Sequence, residues 1–125
     1  MFKNLIIACF IGLLAVIFGA FGAHALKESL TIDQLSSFET AVRYQMYHVI
    51  VLLFVNTFSH FSEKDKNQIS YLFFLGITLF SGSIYLIQIV KISVKTIWFV
   101  TPLGGLFLIF GWALIIFKLI KKTSK

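Results

Sequence analysis

Arg43-Tyr44-Gln45-Met46-Tyr47-His48 places five hydrogen-bonding side chains within six positions, inside a stretch (38–60) whose only other charge is Glu39. Whether that run faces water or the inside of a membrane bundle decides the fold, and its surroundings answer the question. Residues 5–26, 69–90 and 97–117 contain no charged side chain. A helix of about 22 residues is roughly 33 Å long, enough to cross the hydrocarbon layer. Over all 125 residues, 58% are hydrophobic and 13% charged, and mean hydropathy is +0.93. Soluble domains carry about twice that charged fraction. A soluble fold of this length cannot cover so much apolar surface, so the bilayer is the solvent for most of the chain.

Taken outward from the polar run, the sequence predicts an all-α membrane protein: one domain of four antiparallel transmembrane helices in one bundle, over about 5–26, 38–60, 69–90 and 97–117. Polar connections at 27–37, 61–68 and 91–96 separate them, and four lysines follow the last span. The net charge of +6 resides in loops and tail. That placement points to anionic lipid headgroups and not to nucleic acid. One cysteine, Cys9, excludes an intrachain disulfide. The first 25 residues also imitate a secretory signal, with Lys3 ahead of an apolar run and Ala23-His24-Ala25 as a small-x-small site. That run approaches full span length, so the segment is expected to be retained.

With four spans, the N-terminus, middle loop and tail share one side and carry seven basic residues; the other side has Lys27, Arg43, Lys91 and Lys95. The positive-inside rule puts both termini in the cytoplasm of a bacterial inner membrane.

Helical spacing assigns faces. Ala8, Gly12, Ala15, Gly19 and Gly22 recur at alternating spacings of four and three and form a small-residue stripe on which another helix can pack closely. Ala41, Tyr44, His48, Val55 and Ser59 share a face of the second helix, opposite Ile50, Leu53, Phe54 and Phe58. Glu39 and Arg43 stand four apart near the interface and are expected to pair. The third helix carries a ladder of Thr78, Ser81, Tyr85 and Gln88; the fourth gathers Thr101, Gly104, Gly105, Gly111 and Trp112. Tyr44, His48, Ser81, Tyr85, Gln88 and Thr101 are thereby expected to enclose one polar pocket in the outer half of the bundle, with His24 near the interface. The inner half is nearly featureless beside it, with Cys9, Asn56 and Thr57 as exceptions. The fourth helix is expected to start near Ile97 and to kink at Pro102, with Thr101 helping to satisfy the backbone.

Five segments, Gly19-Ala20-Phe21-Gly22-Ala23-His24, Tyr44-Gln45-Met46-Tyr47-His48, Phe80-Ser81-Gly82-Ser83 with Tyr85, Thr101-Pro102-Leu103-Gly104-Gly105, and Gly111-Trp112, resemble the motifs of the small bacterial YgdD/YwdK membrane-protein family. The resemblance covers essentially the whole chain, in order. It implies a four-helix inner-membrane protein and supplies no activity, because the family is one of unknown function.

No paired carboxylates, nucleophile with base, or phosphate loop is present, so the sequence points to no enzyme. His24 and His48 differ in depth and lack companion ligands; a zinc site usually needs at least three protein ligands. No metal or cofactor is expected. Three classes stay open: a structural or accessory protein acting through helix contacts with a membrane-protein partner, an oligomeric transporter or channel built from several copies, and, more weakly, a redox protein.

Overall fold

Every long helix begins where a polar side chain or an apolar run gives it reason to begin. The computed structural model describes residues 2–124. It consists of α1 (Lys3–His24), α2 (Ile32–Thr57), α3 (Glu63–Tyr85) continued by a π-helical turn (Leu86–Val90), a short α4 (Val94–Ile97), and α5 (Val100–Thr123).

Two starts lie about six residues ahead of the expected ones, inside segments expected to be loops. Thr31 accepts from the Gln34 amide while Gln34 reaches back to the Thr31 N–H, and Asp33 sits in the first turn. Ser62 and Asp65 repeat the arrangement at α3. These reciprocal caps satisfy two of the four orphan donors at each helix end. α2 and α3 thus begin in polar sequence and carry it down into the apolar part of each helix.

The last span departs further from expectation. Instead of one helix from Ile97 kinked at Pro102, the chain breaks at Trp98–Phe99 and α5 starts at Val100. Pro102 then falls in the first turn, where its missing N–H would have had no intrahelical acceptor, so it causes no kink. α5 also continues past Phe117 through Lys118, Lys121 and Lys122, the last two in the final turn, where the C-terminal end of the helix dipole favours cations.

α1, α3 with its π-helical turn, and α5 are each long and apolar enough to cross a membrane. α2 is the exception: its 26 residues make about 39 Å of helix, but the polar run lowers its apolarity below that of the others. α1 packs on α2, α2 on α3, and α3 on α5. The main core lies among Ala8, Leu52, Val55, Ile69, Phe73, Ile77, Leu108 and Ile115.

Glycines set the closest approaches. A methyl at Gly104 would lie 2.7 Å from the Leu79 carbonyl carbon and 2.8 Å from Phe80 Cα, so α3 and α5 touch there backbone to backbone. Gly111 makes room for Phe73, and Gly76 for Leu108. The small-residue stripe of α1 faces α2: Gly12 meets Val49, Gly19 meets Val42 and Gly22 meets Phe38. Gly19 and Gly105 have ordinary room for a methyl, at 3.5 Å and 3.8 Å from the nearest atom.

Candidate functional site

Successive residues of a helix point about 100° apart, so the polar run of α2 feeds more than one interface. Gln45, 3% exposed, turns toward α1 and α3. Its Nε2 donates to the Ile11 carbonyl at 2.8 Å, and its Oε1 accepts from the Tyr85 hydroxyl at 2.6 Å. The Tyr85 ring lies against Phe18 and Phe38. One amide therefore joins three helices, with both its ends engaged.

His48, 5% exposed, turns toward α3 and α5. Its Nδ1 lies 2.6 Å from the Tyr44 carbonyl, one turn back, and its Nε2 lies 3.1 Å from Trp112 Nε1. The indole N–H can only donate, so Nε2 must accept and the ring proton belongs on Nδ1. This assignment follows from the network, and it commits both nitrogens of a neutral imidazole. Phe73 packs on the ring at 5.4 Å.

Ser81 donates to the Ala41 carbonyl at 2.7 Å, tying α3 to α2. Ser83 donates to the Phe80 carbonyl, which leaves Thr101 to donate to Ser83 Oγ and join α5 to α3. Thr101 therefore bonds another helix and not its own backbone.

The six residues expected in one pocket are spread over several contacts. Tyr85 belongs with Gln45, His48 with Trp112, Ser81 with the α2 backbone, and Thr101 with Ser83. Gln88 sits half-buried in the π-helical turn, and Thr78 is exposed and bonds its own helix at Phe74. Tyr44 stacks on Phe80 at 5.0 Å and helps to line an open cleft of about 490 Å³ with Tyr47, His48, Phe80, Gly105, Leu108, Ile109 and Trp112. His24 is exposed at the end of α1. Glu39 is exposed, and the Arg43 guanidinium donates to Thr40 at 3.3 Å instead of pairing with it.

The end of the bundle that holds the termini is not featureless. Asn4 donates to Asn56 at 3.0 Å and Asn67 at 2.8 Å, and Asn56 donates to Ser70 at 2.8 Å, linking α1, α2 and α3. Asp65 pairs with Lys118 at 2.7 Å and Lys122 at 3.7 Å, linking α3 to α5. Asp65, the capping-box partner of Ser62, thus also clamps the last helix. Among the described residues no buried side-chain polar atom lacks a partner, and no three His, Cys, Asp or Glu residues are grouped to hold a metal ion.

A helical membrane architecture with this ordered set of glycine and polar motifs agrees with what sequence comparison finds. The family model described as a protein of unknown function, DUF423, matches residues 18–105. That range takes in the Gly19–His24 segment, the α2 polar run and the Thr101–Gly105 segment. The chain belongs to the DUF423/UPF0382 membrane protein family. A UPF0382 membrane protein of Staphylococcus saprophyticus is 39% identical over 104 residues, covering 83% of this chain and 85% of that one. A UPF0382 relative in Staphylococcus aureus is 38% identical over 109 residues, covering 87% and 88%. The UPF0382 protein YwdK of Bacillus subtilis is 37% identical over 114 residues, covering 87% of this chain and 89% of its own. The resemblance read from the motifs is thereby shown, and this UPF0382 chain is a membrane protein of bacterial kind. No solved structure matches it.

Proposed function

We propose that this UPF0382 protein crosses the bacterial cytoplasmic membrane four times, both termini cytoplasmic, as a structural or accessory component. It works through contacts with other membrane constituents and is neither an enzyme nor a conduit. The observation that carries this reading is that, among the described residues, the buried polar side chains are paired within the bundle. Ionisable and polar groups within a membrane are functional candidates by default. Here His48 has both ring nitrogens engaged and Gln45 both ends of its amide, which leaves neither free to relay a proton or coordinate an ion.

The four-span topology is supported by where α2 directs its polarity. Gln45 and His48 are buried in the bundle, while Ile50 and Phe54 are at least half exposed. Apolar side chains outward and hydrogen-bonded polar groups inward suit a helix surrounded by lipid. The seven-to-four basic asymmetry gives the orientation.

Proteoliposomes test the reading. Proton and monovalent-cation flux should match that of empty vesicles, and crosslinking in native membranes should trap the protein with another membrane component. A flux that His48→Phe abolishes would replace this reading with a transporter. A C-terminal reporter active only in the periplasm would invert the topology.

A further inference from the structure

We propose that the cleft between α2 and α5 binds an uncharged, lipid-soluble molecule with a flat head bearing a hydrogen-bond-accepting oxygen, the chemistry of a lipid quinone. This inference rests on the four-span reading, which puts the cleft inside the bilayer.

The cleft exists because α3 holds α2 and α5 apart. α2 and α5 make no extensive contact with each other and meet at the His48–Trp112 hydrogen bond. Above that bond, Tyr44 and Tyr47 form one wall and Gly105, Ile109 and Trp112 the other, with Phe80 and Leu108 beneath. Tyr44, Tyr47 and Trp112 remain 41%, 53% and 45% exposed, so the cleft opens sideways at the bundle surface. Its volume of about 490 Å³ suits a ligand head and not an extra helix, which is about 10 Å across.

The lining selects the occupant. It contains no charged side chain, which disfavours a phospholipid headgroup. Five aromatic rings, counting His48, offer flat faces. The hydrogen bonds of this region engage Gln45, His48, Ser81, Tyr85 and Trp112 and take in neither the Tyr44 nor the Tyr47 hydroxyl. A phenol O–H left unpaired in hydrocarbon costs free energy. An acyl chain would fill the space and leave both unpaired, whereas a carbonyl oxygen would accept from them. Gly105 supplies a second observation. Unlike Gly104, it is not required by packing within the chain, since a methyl there would meet its nearest neighbour at 3.8 Å. Its missing side chain widens the wall that a ligand would face.

The test uses Trp112 as the reporter. Trp98→Phe removes the other tryptophan, which is 66% exposed and lies outside the cleft. Decylubiquinone, titrated into phosphatidylcholine–phosphatidylglycerol vesicles holding the full chain, should quench Trp112 saturably. Tyr44→Phe and Tyr47→Phe should each weaken the apparent affinity by roughly fivefold, the loss of one hydrogen bond, without changing the melting temperature. Gly105→Leu should remove saturation, and Phe54→Leu on the far face should leave it intact. Quenching that rises linearly with quinone, or that both Tyr→Phe variants leave unchanged, overturns the proposal. So does saturable quenching by dibrominated-chain phosphatidylcholine that decylubiquinone fails to relieve, because the occupant is then an acyl chain. In the same vesicles, with Cys9→Ala, an impermeant maleimide should label Glu28→Cys and Ser124→Cys from opposite sides. Same-side labelling defeats the four-span reading and this inference with it; opposite-side labelling without saturation defeats the inference alone.

Discussion

Gly104 and Gly105 are neighbours on α5, and the structure assigns them opposite responses to the same change. In Gly104→Ala the new methyl would lie 2.7 Å from the Leu79 carbonyl carbon and 2.8 Å from Phe80 Cα, where carbon atoms ordinarily sit about 3.5–4.0 Å apart. The obstacle is backbone, so no rotamer change relieves it, and α3 and α5 must separate by roughly 0.8 Å or more. A radial gap of about 0.5–1 Å forfeits a quarter to a half of each contact's attraction. The loss extends along the interface, through Leu108 against Gly76 and Phe73 against Gly111. Overpacking of this kind costs about 1–3 kcal/mol. In Gly105→Ala the methyl meets Phe80 Cδ2 at 3.8 Å, ordinary contact. Both variants gain the same helix propensity, up to about 1 kcal/mol. Their difference therefore isolates the packing penalty, and Gly104→Ala should be the less stable by about 1–3 kcal/mol. Reversible unfolding in mixed micelles, followed by circular dichroism, measures it. Equal stability of the two variants would refute the close approach of α3 and α5 at this point.

Three further outcomes are expected. Gln45→Leu and Tyr85→Phe should each destabilise, and the double variant should lose less than their sum, with a coupling of about 0.6–1.7 kcal/mol; strict additivity would remove the Gln45–Tyr85 bond from the account. Asp65→Ala deletes both the carboxylate that accepts from the Ser62 N–H in the capping box and the partner of Lys118, and should cost about 1–3 kcal/mol. Lys118→Met should cost less because the cap survives, and a melt showing the reverse order would deny Asp65 its double role. Lys91 adopts a left-handed conformation (φ 66°) where the π-helical turn ends, so Lys91→Gly should raise stability by up to about 1 kcal/mol, and a lowered melting temperature would count against that backbone geometry.

Uncharged length made the membrane class and three of the long helices legible, since nothing else accounts for 22 residues such as 5–26 without a charge. The starts of α2 and α3 were legible too, but as a different kind of signal. Thr31-Ile32-Asp33-Gln34 and Ser62-Glu63-Lys64-Asp65 are capping sequences, and their polarity imitates a loop when apolarity alone is followed. Within the polar run, spacing fixes the angle between Gln45 and Tyr44 but not which of them meets a neighbouring helix. Gln45 proved to be the deeply buried one and Tyr44 the exposed one. The Asn4–Asn56 and Asp65–Lys118 links were beyond reach, because each joins residues more than 50 positions apart and depends on how the helices are rotated. The adjacent glycines show the same limit: composition treats Gly104 and Gly105 alike, and only the position of Phe80 separates them.

The hydrogen bonds of this bundle are better understood as register marks than as its main source of stability. In lipid, helices gain little from hydrophobic burial against one another, and an interhelical hydrogen bond contributes about 0.6 kcal/mol on average. Their placement is what matters. Asn4, Asn56, Asn67 and Ser70 mark one end of the bundle, His48–Trp112 joins α2 to α5 further along, and Ser83–Thr101 marks the entry to α5. A helix that slid by one turn would leave several polar groups facing hydrocarbon at once, each at a cost larger than the bond it lost. α2 and α5 each pack on α3 and meet at His48–Trp112, so the cleft follows from the register and does not need a separate device to keep it open. A protein needing only a stable four-helix bundle could have closed that gap with larger side chains at 105 and 109. This chain instead puts glycine at 105 and two phenols opposite, and those residues are where its interaction with the membrane phase is best sought.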